Sequence, residues 1–70
     1  MATITNSVVV SSEERPTYKR NRYRYTLSDG TVHDQNSWVP LATDNAADMA
    51  TRGEALLAYL ADQEIAGLLE

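Results

Sequence analysis

The chain alternates first and turns helical later. Along "TITNSVVVS", Ile4, Val8 and Val10 fall on one side and Thr3, Thr5, Ser7 and Val9 on the other, a period of two that predicts an N-terminal strand. "SSEERP" then brings polar residues and a proline that donates no hydrogen bond, so it reads as a linker. Two further strand-like runs, Lys19 to Leu27 and Thr31 to Val39, flank Asp29-Gly30. Asp-Gly supplies the positive φ angles of a tight two-residue turn, which predicts a β-hairpin. With that turn Ser28 pairs with Thr31, Leu27 faces Val32, Tyr25 faces Asp34 and Tyr23 faces Asn36, with Trp38 beyond them. This side is the expected core face. Arg20, Arg22, Arg24 and Thr26 then share the other side with His33, Gln35 and Ser37.

After Pro40 the period lengthens. Met49, Gly53, Leu56, Leu57, Leu60, Ile65, Leu68 and Leu69 recur at intervals of three and four, as an amphipathic helix requires, and Thr43, Asp44 and Asn45 are candidate N-caps. Gly53 costs about 1 kcal/mol against alanine in a helix interior. "TRGE", Thr51 to Glu54, offers a capping box for a second start, so one bent helix and two helical pieces both fit. The predicted fold class is α+β: an N-terminal strand, a β-hairpin and a C-terminal helix or two helical pieces. Residues 1–12 form the strand or an assembly arm, and residues 13–70 form a hairpin-plus-helix domain.

Length sharpens this picture. Seventy residues make one small domain that buries only about 60% of its unfolded surface. With no cysteine there is neither a disulfide nor a thiolate zinc site to reinforce it, which leaves partner surfaces or self-association. No apolar run approaches the roughly 20 residues that cross a bilayer, and the start lacks the basic and apolar regions of a secretory signal, so no membrane partner is expected. Charge is uneven: residues 1–36 carry five cations and four acids, and residues 37–70 carry Arg52 against six acids.

The basic strand "YKRNRYRY" is the most conspicuous candidate surface. Single-strand binders stack bases on aromatic rings that stand beside cations. Here a period of two sends Tyr23 and Tyr25 to one face and Arg20, Arg22 and Arg24 to the other, and the net charge of -4 opposes a polyanion. Protein docking is the preferred reading, with a nucleic-acid-binding regulator as the alternative. Arg22 and Arg24, with no carboxylate opposite, are expected to seek acids on another chain, such as Asp48, Glu54 and Asp62 of a second copy. Val8 and Val10 belong to an uncharged strand able to add to a neighbour's sheet. Leu57 and Ile65 lie on a second helical stripe, left over once Leu56 and Leu60 cover the hairpin. These seven residues are the candidate partner-binding set. His33 is the sole histidine and Asp34 is expected on the opposite face, so no metal site follows. Ser11, Ser12 and Thr17 have no base spaced to activate them, and Glu13-Glu14 sits in a polar linker. No catalytic residue, no cofactor and no enzymatic activity are expected.

The hairpin "RYRYTLSDGTVHD", the Trp-Val-Pro exit and the acidic Ala/Leu-rich helix resemble small proteins encoded among the structural genes of tailed bacteriophages. The resemblance spans Tyr23 to Leu69. It implies a non-enzymatic, multi-copy virion or tail component, found in the virion or the host cytoplasm, whose partners are copies of itself or larger virion proteins. A small inhibitor that lays its acidic helix on a basic site of a host protein is a further alternative.

Overall fold

The computed structural model describes residues 2–69, with the Leu69 side chain outside the described set. Three strands, β1 (Ile4–Glu14), β2 (Tyr18–Leu27) and β3 (Val32–Pro40), precede one helix, α1 (Asn45–Leu69). The strands form an antiparallel sheet in the order β1-β2-β3, and α1 packs on one of its faces. The α+β class with a hairpin and a C-terminal helix is as predicted. Two local expectations change. "SSEE" is strand and not linker, because Ser11, Ser12, Glu13 and Glu14 pair with Arg22, Asn21, Arg20 and Lys19. The boundary expected after residue 12 therefore falls inside β1, which pairs within its own chain. The simple alternation of β1 also fails. Register shifts between Ile4 and Asn6 and between Val9 and Ser11 place Ile4, Ser7 and Val9 opposite Leu27, Tyr25 and Tyr23, and Val8 opposite Arg24.

The turn decides the rest. Leu27 N–H donates to the Thr31 carbonyl at 2.9 Å, and Gly30 N–H donates to the Leu27 carbonyl at 3.0 Å. Among the described residues Gly30 alone has a positive φ, +88°, so Ser28, Asp29 and Gly30 form a three-residue loop with glycine in the left-handed region. The Asp29 carboxylate holds it by accepting from the N–H (2.9 Å) and the hydroxyl (2.6 Å) of Thr31. One extra loop residue shifts the pairing by one. Tyr25 faces His33, Arg24 faces Asp34, Tyr23 faces Gln35, Asn21 faces Ser37 and Arg20 faces Trp38. Because side chains alternate with a period of two, this slip sends the whole of β3 to the opposite face from the one predicted.

The core is small and rests on β2. Tyr23, Tyr25, Leu27 and Leu56 are buried, and Ile4, Met49 and Leu60 pack around them. Leu56 follows Met49 by seven residues and precedes Leu60 by four, which puts all three on one helical stripe. Asp44 caps the helix by accepting from Ala46 N–H at 3.0 Å. The helix is single and continuous through Gly53, and Thr51 to Glu54 does not restart it. A Cβ at Gly53 would lie 2.9 Å from Ile4 Cδ1 and 3.2 Å from Tyr25 Cε1, so glycine lets the helix approach the sheet.

Candidate docking face

Beneath the helix the sheet is unexpectedly polar. Tyr23 donates its hydroxyl to Asp48 Oδ2 at 2.5 Å, and Ser37 donates to the same oxygen at 2.7 Å. Asn21 donates to the Tyr23 hydroxyl (3.0 Å) and to Asn45 Oδ1 (2.9 Å), while Ser12 donates to Asn21 Oδ1 at 2.6 Å. Lys19 donates to the Thr43 carbonyl at 2.7 Å, and Tyr25 donates to the Met49 carbonyl at 2.7 Å. Burial opposes ionisation of Asp48, yet the donors Tyr23 and Ser37, with Arg52 and Lys19 nearby, together hold its pKa below the ordinary carboxylate value. Burial first, and the Asp48 carboxylate second, push the Tyr23 phenol up to about 12. Every buried side-chain polar atom among the described residues has a partner. The network orients α1 on the sheet through matched donors and acceptors.

Among the described residues no helix covers the opposite face of the sheet. This face carries Arg20, Arg22 and Arg24 on β2, Val8, Ser11 and Glu13 on β1, and Val32, Asp34, Asn36 and Trp38 on β3. Trp38 is 58% exposed and Val32 is 54% exposed. Both were expected in the core, and the slipped register moves them beside the arginines. It also moves Asp34, which corrects the expectation that Arg22 and Arg24 lack a carboxylate opposite. Arg24 grips Asp34 in a fork, Nε at 2.9 Å and Nη2 at 3.1 Å, and Arg22 adds a contact at 3.2 Å. The hydrogen bonds from Arg24 lower the Asp34 pKa and raise that of Arg24. Glu13 is shared in the same way, at 3.0 Å from Arg20 and 3.3 Å from Arg15.

Of the predicted partner-binding residues, Arg20, Arg22, Arg24 and Val8 meet on this face. Val10 is exposed at the second irregularity of β1. Leu57 and Ile65 are elsewhere. Leu57 lines a groove of about 390 Å³ between the hairpin tip and α1 together with Leu27, Leu60, Ala61, His33 and Glu64, while Ile65 lies exposed further along the helix. Trp38, Val32, Asp34 and Glu13 were missed as members of the face. Loop length would have placed the three β3 residues, since Ser28 is as good a loop residue as Asp29, and Glu13 depends instead on β1 running on through Glu14 to pair with β2. Among the described residues no three His, Asp or Glu side chains converge as a metal would need, and no helix is long and apolar enough to cross a membrane. Comparison with protein-family models, with curated proteins and with solved structures yields no match.

Proposed function

We propose that this chain is a non-enzymatic adaptor or structural subunit that works by protein–protein contact, with the open sheet face as its docking surface. One observation carries the reading. The fold buries Ser37 and Asn21 completely while leaving Trp38 and Val32 in water, the reverse of what hydrophobicity alone would select. Departures of this kind mark functional surfaces, because the stability forgone in the monomer is recovered on binding. Tryptophan and arginine are also the side chains that dominate the energetics of protein interfaces. The charge on the face supports a protein partner over a polyanion. A phosphate-binding row is free of acids, whereas Asp34 and Glu13 stand among these arginines and neutralise half of their charge. The resemblance to tailed-phage structural proteins fits the same reading, a repeated component of a larger particle.

A photo-reactive phenylalanine analogue placed at position 38 of the full chain in producing cells tests this. Discrete protein adducts should form there, resist nuclease, exceed those from a control at Thr17 and disappear with Arg22→Glu plus Arg24→Glu. Nuclease-sensitive adducts would transfer the assignment to a nucleic-acid regulator. Yields at position 38 no higher than at Thr17 would remove the face from function.

A further inference from the structure

The docking face is matched by a surface on the far side of the same molecule. Arg20, Arg22 and Arg24 on β2, joined by Arg15 just beyond the end of β1, set four guanidinium groups against Glu13 and Asp34, so this side of the sheet keeps a charge of +2. On α1, Glu54, Ala58 and Asp62 follow one another at intervals of four and form a single row, opposite the stripe of Met49, Gly53, Leu56 and Leu60 that meets the sheet. All three are exposed, and among the described residues neither acid makes an ion pair. The row therefore offers a charge of -2. Its length also fits. Eight helical residues separate the two acids by about 12 Å, and four strand residues separate Arg20 from Arg24 by about 13 Å. Ala55 and Ala58 keep the strip between the acids low, and Tyr59 stands exposed beside it. A low strip bordered by an aromatic ring can lie flat against Trp38 and Val32.

We infer that the outer face of α1 from one copy seats on the open sheet face of the next, with Glu54 and Asp62 set against the arginine row and Tyr59 against the Trp38 side. This rests on the reading that the sheet face docks protein, and it names the occupant. Exposed ion pairs contribute little individually, so the apolar contact supplies most of the attraction and the charges select register and direction. The two surfaces lie on opposite sides of each copy. The contact is therefore heterologous, and copies add head to tail until a ring closes or a filament grows. The sheet would then be covered on both faces, by its own helix and by its neighbour's.

Light scattering on the full-length protein at low salt, across a concentration series, tests the inference with two variants. Trp38→Ser removes the acceptor, and Glu54→Lys with Asp62→Lys removes the donor. All three positions are exposed, and circular dichroism verifies that each variant is folded. Wild-type mass should climb with concentration through successive oligomers. Each variant alone should associate at least about tenfold more weakly, because one loses its central aromatic contact and the other presents like charges. An equimolar mixture of the two should form a one-to-one complex and grow no further, since it holds one intact donor and one intact acceptor. A wild-type protein that stays monomeric overturns the inference while leaving the docking face for a different protein. Assembly unaffected by the lysine substitutions removes α1 as the occupant and leaves the sheet face in place. Assembly unaffected by Trp38→Ser removes the sheet face from self-contact. A wild-type dimer that closes at two copies excludes head-to-tail addition.

Discussion

Single residues here are constrained by contacts that propensity does not register. Gly53 is the clearest case, since a helix interior disfavours glycine, yet Ile4 and Tyr25 occupy the space a side chain would need. The Ile4 methyl can turn aside, whereas the Tyr25 ring is held by its hydrogen bond to the Met49 carbonyl. Gly53→Val should cost about 1 to 3 kcal/mol by overpacking, read from urea melts. Gly67, where an added Cβ would meet nothing within 4 Å, should accept alanine with a gain of up to about 1 kcal/mol. Equal effects at the two glycines would contradict the close approach. The Tyr23–Asp48 pair sets a pH window. Asp48 has a lowered pKa when folded, so its contribution is present above the ordinary carboxylate range and is lost as pH falls through the folded value. Tyr23 is raised, so its contribution is complete below the ordinary phenol pKa near 10 and fades as pH rises towards about 12. Stability measured against pH should fall in both directions, with Asp48→Asn reducing the acid limb and Tyr23→Phe reducing the alkaline limb. Asp29 and Asp34, also lowered, keep part of the acid limb in the variant. Limbs unchanged by either substitution would mean the pair is not formed.

At the level of elements, β2 is the central strand, and both of its neighbours matter. An isolated two-stranded hairpin is marginal in water. β1 supplies the third strand, places Ile4 in the core and ties the chain start to the hairpin tip, where Ser28 N–H donates to the Thr3 carbonyl at 2.8 Å. Deleting residues 2–14 should therefore abolish cooperative thermal unfolding followed by circular dichroism. A truncated chain that still melts in one sharp transition would show that hairpin and helix suffice, as an arm over residues 1–12 would require. The helix is tied down unevenly. Its first half meets the sheet through Met49, Gly53, Leu56 and Leu60, and beyond Leu60 the same stripe continues with Glu64 and Gly67, which offer no core side chain.

As a whole the molecule is polarised, measuring 46 × 21 × 15 Å with an arginine-rich sheet face on one side and an acidic helix on the other. Its net charge of -4 opposes polyanions at long range, and on the face with the most cations Asp34 and Glu13 neutralise half of their charge. Fluorescence anisotropy with labelled single-stranded and duplex oligonucleotides should show no saturable binding at physiological salt. Binding that weakens by orders of magnitude between about 50 and 200 mM salt would reinstate the nucleic-acid reading.

The linear pattern was enough for the α+β class, the position of the hairpin, the burial of Tyr23, Tyr25 and Leu27 and the exposure of the arginine row. Each of these depends on local periodicity or on the chemistry of a single turn. Loop length lay beyond it. Asp29-Gly30 suits a two-residue turn and Ser28-Asp29-Gly30 suits a three-residue one, and hydrophobicity favoured the first because that register hides Trp38 and Val32. The fold takes the second because Asp48, arriving from a helix eleven residues later in the chain than Ser37, accepts hydrogen bonds from Ser37 and Tyr23, and that network exists only once helix and sheet are packed. The docking face is the consequence of that tertiary choice, since one residue of register decides which side of β3 meets water.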